Sequence, residues 1–364
     1  MADPERIGRY LVQGALGSGS FATVFLALDE LLDQQVAIKV LADNWARNAD
    51  TRRRFIEEAK ILRRVDHDRV VRVHTVDELP DGRPYFVMTY ADRGTLEARL
   101  AARRLERRPF ELGEAVAIVT EIGECLSVIH ELGVVHRDLK PSNVLLRTGR
   151  GPRGAAPVER IVLGDFGLAK DLAAASGFTL AAGTPAYMAP EQASLSDELD
   201  HRADLFALTA VLFELLTGRP PFAAVTMSDV RRAHERHHQP LLVEVRPELP
   251  AALQAVIDKG LQVAPSERHQ SAEELVGELA AAAGAAPAGT AGAALAGTAA
   301  AGPVGQAGAA SALEAELRGL FEALRAAAQS DGDRAVVEQA CARLEGPVRV
   351  LVLAGVQAHE GGGR

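Results

Sequence analysis

The chain has 364 residues, 48% of them hydrophobic and 24% charged, which is enough apolar sequence for one large domain with an appendage. The formal net charge of -9 argues against binding to nucleic acid through bulk electrostatics, so no nucleic-acid partner is predicted. Cys125 and Cys341 are far apart and lack partner patterns, which predicts neither a disulfide framework nor a zinc site and favours a reducing, cytoplasmic location. The polar first residues contain no apolar segment of the kind that a signal peptide carries.

The first predicted element is a β-hairpin with a glycine-rich tip. Strand-like apolar runs at 10–16 and 24–28 flank the tip, which begins GSGSFAT. Glycine lets backbone N–H groups approach phosphate oxygens, so we predict a phosphate-binding turn. Ala22 stands where a third glycine is usual, and an ordinary hairpin turn is the alternative when this run is considered alone. The predicted nucleotide contacts in this element are Leu16, Gly17, Ser18, Gly19, Ser20, Phe21, Ala22, Thr23 and Val24.

The next apolar run, VAIK, ends in Lys39. Because burial of an unpaired ammonium group is costly, we predict that Lys39 faces the α- and β-phosphates of a nucleotide and is fixed by a carboxylate. The alternative is an edge-strand lysine that reaches water. The inner face of the following helix is expected to contain Phe55, Ala59 and Leu62. Glu58 lies between these residues and is the predicted partner of Lys39, with Glu57 as the alternative.

The run HRDLKPSN at 136–143 follows a predicted helix at 113–132 and carries the main catalytic prediction. Polar loops at the ends of packed elements are where functional residues concentrate. Asp138 is predicted to accept or orient the proton of an attacking hydroxyl group. Lys140 is predicted to neutralise the γ-phosphate of the nucleotide.

Two oxygen ligands for a metal ion are predicted around this loop. Asn143 ends the run, and Asp165 begins the sequence DFG further along the chain. Carboxylate, amide and phosphate oxygens suit a hard cation, so we expect Mg²⁺, with Mn²⁺ as an alternative, and neither zinc nor copper. Each motif alone fits a turn with a capping aspartate, but the order HRD, DFG and then APE at 189–191 favours phosphoryl transfer.

This ordered series resembles the catalytic domain of bacterial eukaryotic-like serine/threonine protein kinases, over residues 7–281. The resemblance implies an α+β fold with two lobes. The small lobe, 7–90, would hold an antiparallel sheet and one helix, and the larger lobe, 91–281, would be mainly α-helical. It also implies that ATP and magnesium bind in the cleft between the lobes, and that the γ-phosphate passes to Ser or Thr hydroxyl groups of protein substrates.

The same resemblance assigns scaffold and adenine-binding roles. His130 resembles a structural histidine, and Asp204 resembles a buried anchor that faces the catalytic loop. Arg268 resembles the arginine that pairs with the glutamate of APE, here Glu191. The segment YFVMTYA at 85–91 resembles the strand that leads into the hinge. The residues expected around adenine are Val24, Ala37, Leu145, the gatekeeper Met88, and the backbones of Thr89 and Ala91.

The substrate class and the regulation also follow from the resemblance. Lys140 in the catalytic loop and Thr184 before APE resemble the serine/threonine pattern. Arg137 resembles an arginine that pairs with a phosphate group on the activation loop. Thr179 is the predicted autophosphorylation site, and Ser176 is the other acceptor in that segment.

Residues 282–310 are almost entirely alanine and glycine and predict a flexible linker. The stretch is uncharged, so a membrane span is the alternative. Alanine and glycine provide little insertion energy, however, and two prolines interrupt the stretch, so membrane association is not expected. The tail, 311–364, has apolar residues at helical spacing and predicts a small, mainly helical segment. Self-association through it and folding back onto its own chain are both left open.

Two other functions remain as alternatives. A pseudokinase or scaffold would bind a nucleotide without transferring phosphate, but the intact set Lys39, Asp138, Asn143 and Asp165 argues against it. A small-molecule kinase on the same fold is disfavoured by the segment GTPAYMAPE, which resembles a platform for protein substrates. Nucleotide binding without transfer would favour the first, and modification of a small molecule but of no protein would favour the second.

Overall fold

The computed structural model describes residues 4–19, 21–65, 67–149, 158–166, 185–193, 199–222 and 241–284. All of these belong to one unit, Met1–Gly297, and a second unit, Thr298–Arg364, lies outside the described residues. The predicted C-terminal helical segment and nearly all of the predicted linker lie outside them as well. Within the described ranges, no helix has the length and apolar character needed to cross a membrane.

An antiparallel six-stranded sheet forms the small lobe, with the strand order β1-β2-β3-β4-β6-β5. The strands are β1 (Arg6–Ile7), β2 (Tyr10–Ser18), β3 (Ala22–Asp29), β4 (Gln34–Leu41), β5 (Val73–Glu78) and β6 (Pro84–Thr89). β2 and β3 form the predicted glycine-rich hairpin, and their pairing continues to Ser18 opposite Thr23. β4 lies between β3 and β6 and is buried from Val36 to Leu41, so Lys39 projects from the centre of the sheet.

One α-helix packs on this sheet. The helix α1 (Ala49–Val65) follows Asn48, whose side chain caps the helix by accepting a backbone N–H hydrogen bond at 2.9 Å. The predicted inner face is confirmed, since Phe55, Ala59 and Leu62 are all buried. The ring of Phe55 contacts the ring of Phe86 in β6, with centroids 5.0 Å apart. This packing turns the side of α1 that carries Glu58 toward β4.

The large lobe is mainly helical, as predicted. The α-helices among its described residues are α2 (Leu96–Leu105), α3 (Leu112–Glu131), α4 (Pro190–Ala193), α5 (Arg202–Thr217), α6 (Leu242–Val245), α7 (Ala252–Gly260) and α8 (Ala272–Ala282). Every residue of α5 from Ala203 to Leu216 is buried, which explains why its sequence lacks a continuous polar face. α3 packs against α5 and α8. Gly123 permits the close approach of α8, because a Cβ there would lie 2.7 Å from Val276 Cγ2.

A two-stranded hairpin completes the wall of the cleft. β7 (Val144–Gly149) pairs antiparallel with β8 (Val158–Leu163). The register places Val144 opposite Leu163. The residue before β7 and the residues after β8 therefore become neighbours, although many positions separate them in the sequence.

Candidate active site

Lys39 is held between two carboxylates. Its Nζ lies 2.7 Å from Glu58 Oε1 and also contacts a carboxylate oxygen of Asp165, which follows β8. The side chain of Glu58 is 2% exposed and that of Lys39 is 11% exposed, so this ion pair is almost removed from water. Glu57, the alternative partner, instead pairs with Lys60 on the exposed side of α1. The fold thus brings Glu58, and not Glu57, to Lys39.

Burial and the charge of the ion-pair partner shift the pKa of Lys39, and likewise the pKa of Glu58, in opposite directions. Burial alone would lower the pKa of Lys39, but the carboxylates of Asp165 and Glu58 outweigh it and raise the pKa above its ordinary value. Burial raises the pKa of Glu58 to about 7, against the opposing effect of Lys39. The Glu58 carboxylate therefore gains a proton near neutral pH, whereas Lys39 keeps its charge.

The catalytic-loop residues converge on the carboxylate of Asp138. Lys140 Nζ lies 3.3 Å from Asp138 Oδ2. The amide nitrogen of Asn143 donates to the same oxygen at 2.8 Å and to the backbone carbonyl of Asp138 at 2.7 Å. These contacts fix the orientation of the Asp138 carboxylate at the floor of the cleft.

Asp165 sits beside this group in a strained backbone conformation. Its φ of 59° lies in the left-handed region, which few residues other than glycine adopt. The N–H of Gly164 donates to the carbonyl of Asn143 at 3.1 Å, and Asn143 Nδ2 lies 3.4 Å from the carbonyl of Asp165. Surrounding contacts can hold such strain where a side chain must point in one direction. Here the carboxylate of Asp165 reaches Lys39 and remains half-exposed.

The oxygen atoms in this part of the cleft suit a hard cation. Asn143 directs its amide nitrogen toward Asp138, its side-chain oxygen accepts only a long hydrogen bond from the Ser142 hydroxyl at 3.5 Å, and Asp165 offers a half-exposed carboxylate. In the described part of the chain, no group of three or more His, Cys, Asp or Glu side chains could hold a metal. A cation bound to Asn143 and Asp165 would therefore take its other ligands from phosphate and water, as Mg²⁺ does in phosphoryl-transfer sites.

A buried aspartate anchors the catalytic loop from behind. Asp204 of α5 is 1% exposed and accepts the backbone N–H groups of His136 and Arg137, each at 2.8 Å. Its Oδ2 also lies 2.8 Å from His130 Nε2. Asp204 and His130 therefore occupy the scaffold positions that the resemblance implied. Arg137 adopts a left-handed φ of 65°, and the anchor holds this turn immediately before Asp138.

A second buried ion pair closes the other end of the large lobe. Arg268 is 1% exposed, and its two terminal nitrogens each lie 2.7 Å from a carboxylate oxygen of Glu191. Arg268 also donates to the backbone carbonyls of Gln262, Arg202 and Val263. Because this fork pairs with APE, it fixes the end of the segment that resembles the substrate platform.

Two residues near the site make contacts that were not predicted. His136 is completely buried, its ring stacks on Phe166 with centroids 4.7 Å apart, and its Nε2 lies 3.1 Å from the carbonyl of Gly164. Burial lowers the pKa of His136, so the neutral ring links HRD to DFG as a structural group. Gln192 donates to the carbonyl of Arg137 at 2.8 Å and so joins the APE end to the catalytic loop. The position of Gln192 directly after APE is the feature of the sequence that could have indicated this contact.

Three of the residues expected around adenine, Ala37, Met88 and Thr89, lie where β4 pairs with β6. Ala37 pairs with Met88 across these strands. The backbone N–H of Thr89 donates to the carbonyl of Arg72 at 3.0 Å. The Thr89 hydroxyl lies 3.2 Å from His74 Nε2. The other expected contacts are Leu16, Gly17, Ser18, Gly19, Phe21, Ala22, Thr23 and Val24 on the β2–β3 hairpin, Ala91, and Leu145 on β7.

Several predicted residues lie outside the described residues. They are Ser20 of the glycine-rich turn, Gly167 of DFG, and Ser176, Thr179 and Thr184 of the segment before APE. Arg137 is described, but its predicted phosphate partner is not. The regulatory role of Arg137 therefore stays a prediction.

Comparison with known proteins identifies the family. Residues 10–278 match the family described as the protein kinase domain. The chain belongs to this family. Serine/threonine-protein kinase PknJ of Mycobacterium tuberculosis is 38% identical over 279 residues, which cover 75% of this chain and 45% of PknJ. Serine/threonine-protein kinase Pkn1 of Myxococcus xanthus is 34% identical over 269 residues, which cover 73% of this chain and 37% of Pkn1.

The fold comparison agrees with this assignment. The crystal structure of the Mycobacterium tuberculosis PknI kinase domain matches with a TM-score of 0.60 and 31% identity, covering 78% of this chain and 100% of that structure. The predicted α+β, bilobal kinase fold is therefore confirmed. The chain spans less than half the length of PknJ and Pkn1.

Proposed function

We propose that this chain is a serine/threonine protein kinase that transfers the γ-phosphate of ATP to hydroxyl groups of proteins. One observation carries the proposal: Lys39 joins Glu58 of α1 to Asp165 beyond β8, while Asn143 joins Asp165 to Asp138. Groups from both lobes thus converge on one cleft. Such an arrangement suits phosphoryl transfer, in which the protein mainly positions the reactants and stabilises charge.

Each residue has a distinct role in the proposed reaction. Lys39 binds the α- and β-phosphates, and Glu58 keeps its ammonium group in place. Asp138 accepts or orients the proton of the substrate hydroxyl, and Lys140 neutralises charge on the transferred phosphoryl group. Asn143 and Asp165 would hold the divalent cation, Mg²⁺ or alternatively Mn²⁺, and the bound ion would supply positive charge that offsets the negative charge of the phosphate groups.

Protein hydroxyl groups are the proposed acceptors. Lys140 lies within the catalytic loop, and Glu191 of APE is fixed by Arg268, which supports a firm platform for a polypeptide substrate. PknJ and Pkn1 are both named serine/threonine-protein kinases. Activation-loop autophosphorylation, a cytoplasmic location, the absence of a nucleic-acid partner and self-association through the tail stay predictions.

The test is transfer of labelled γ-phosphate from Mg-ATP to the chain itself and to a generic basic protein. The control is Asp138→Asn, which keeps the size of the side chain but removes its basicity. We expect phosphoserine and phosphothreonine in the wild type, and a decrease in rate of about 10²–10⁴-fold in the variant. Equal rates in both preparations would contradict the proposal. Nucleotide binding without any transfer would instead favour a scaffold.

A further inference from the structure

An aromatic contact joins the tip of the glycine-rich turn to the segment in front of α1. The ring of Phe21 lies against the indole of Trp45, with centroids 5.0 Å apart and planes inclined by 33°. Both side chains are half-buried. A phenylalanine at the tip of a hairpin would otherwise project into water, so this contact gives the tip a preferred position.

Backbone contacts attach the same turn to the sheet. The N–H of Gly19 donates to the carbonyl of Ala22 at 2.9 Å and closes the turn, while the N–H of Ala42 donates to the carbonyl of Phe21 at 2.8 Å. Ala22, where a third glycine is usual, is buried and packs into the main core. The other side of the turn is open, because a Cβ at Gly17 would meet no atom within 4 Å. The turn is thus held on the Phe21 side and accessible on the Gly17 side.

Trp45 extends this attachment to the helix that carries Glu58. It ends the short 3-10 helix Asp43–Trp45, and its side chain packs against the main core. The carbonyl of Trp45 accepts the N–H of Asn48 at 3.0 Å, and Asn48 caps α1. A continuous set of contacts therefore runs from the phosphate-binding turn through Trp45 to the start of α1.

We propose that Trp45 is a positioning residue for phosphoryl transfer, a role that rests on the proposed kinase function. By holding Phe21, Trp45 fixes the height of the glycine-rich turn relative to α1. The turn and the Lys39–Glu58 pair are then placed so that both can contact the same bound nucleotide. Transfer is sensitive to such placement, since a displacement of about 1 Å can lower the rate on the order of 100-fold.

Four variants distinguish a loss of positioning of the turn from a general loss of stability. Trp45→Ala and Phe21→Ala remove one ring each, Trp45→Phe keeps a ring, and Leu31→Ala changes a side chain that is 79% exposed in the β3–β4 turn. We expect kcat to fall by about three- to tenfold in the two ring deletions, with a smaller change in the KM for ATP. Trp45→Phe should recover most of kcat, and Leu31→Ala should match the wild type.

The emission of Trp45 gives an independent readout, because the chain has only 1 tryptophan. Mg-ATP should change the emission of the wild type. Phe21→Ala should shift the emission to longer wavelength without nucleotide and should weaken the response to nucleotide. Because this measurement uses Phe21→Ala, it tests the role of the Phe21–Trp45 contact even if Trp45→Ala does not fold.

The outcomes distinguish this proposal from the proposed kinase function. Wild-type kcat in Phe21→Ala, together with unchanged emission, would overturn the positioning role and leave the kinase function intact. An equal loss in Trp45→Phe and Trp45→Ala would also overturn it, because a retained ring should restore placement. Absence of transfer by the wild-type chain would overturn both.

Discussion

The two lobes compensate the charges around the site in different ways. In the small lobe, Lys39 and Glu58 depend on each other's ionisation, and burial raises the pKa of Glu58 to about 7. In the large lobe, Asp204 accepts two backbone N–H groups, which do not titrate, beside its contact with His130, and the guanidinium of Arg268 is paired with Glu191. The large lobe is thus a fixed scaffold, whereas the ion pair of the small lobe depends on the ionisation of Glu58.

This difference gives the two lobes separate roles: the contacts of the large lobe fix the shape of the site, and the ion pair of the small lobe can change. The fixed contacts of Asp204 and Arg268 stand behind Asp138 and the APE end, where a constant shape is needed. The conditional contact holds Lys39, whose position determines how the nucleotide phosphates are bound. A change in α1 or in pH would therefore act first on the position of Lys39, while the contacts of Asp204 and Arg268 stay in place.

Loss of Arg268 should have the largest effect on stability. Arg268→Ala leaves the carboxylate of Glu191 and three backbone carbonyls without their donor, so we expect a loss of about 3–5 kcal/mol in the free energy of unfolding. Urea denaturation followed by circular dichroism measures it. The double variant Arg268→Ala/Glu191→Gln should recover part of the loss, because the unpaired charge is gone. A loss below about 1 kcal/mol would show that the fork is not a fixed anchor.

Asp204→Asn should have an intermediate effect. An asparagine can accept through only one side-chain oxygen, so at least one of the N–H groups of His136 and Arg137 loses its acceptor. We expect a loss of about 1.5–3 kcal/mol in unfolding free energy and a lower kcat, because Arg137 directly precedes Asp138. Thermal unfolding and transfer rates measured on the same preparation test both parts. Unchanged kcat would contradict the anchoring role.

Glu57→Gln should have the smallest effect. Glu57 pairs with Lys60 on the exposed face of α1, and exposed helical pairs of this kind contribute about 0.3–0.5 kcal/mol. Unfolding free energy should therefore change by no more than that amount, and kcat should stay at the wild-type value. The adjacent Glu58→Gln should lower kcat. Equal kcat losses in the two variants would contradict the assignment of Glu58 as the partner of Lys39.

Much of this architecture could be predicted from local patterns. The apolar spacing of α1 placed Phe55, Ala59 and Leu62 inside and left Glu58 between them, which was enough to select it over Glu57. The strand preceding the glycine-rich tip was predicted to end at residue 16, but β2 continues to Ser18. Pairing with β3 there outweighs the weak strand preference of glycine and serine.

Contacts between distant segments could not be predicted in the same way. The contact between Lys39 and Asp165 depends on the register of β7 with β8 and on the strained φ of Asp165. The contact between the tilted rings of Phe21 and Trp45 likewise depends on how the turn folds over the end of β4. Neither leaves a periodic pattern, because each is produced by tertiary packing.

The dependence of the Lys39–Glu58 ion pair on pH is tested most directly by the pH dependence of kcat/KM for ATP in the wild type and in Glu58→Gln. This ratio reports groups of the free enzyme. The pKa of Glu58 is raised, so its ionised form, which holds Lys39, is present above about pH 7 and is lost as the pH falls through that value. We predict that wild-type kcat/KM rises with pH through about 7 and that this rise disappears in Glu58→Gln, which has a uniformly lower value. Titration of Mg-ATP itself is common to both proteins and cancels in the comparison. The same rise in both proteins, or a wild-type value independent of pH across neutrality, would contradict the conditional ion pair.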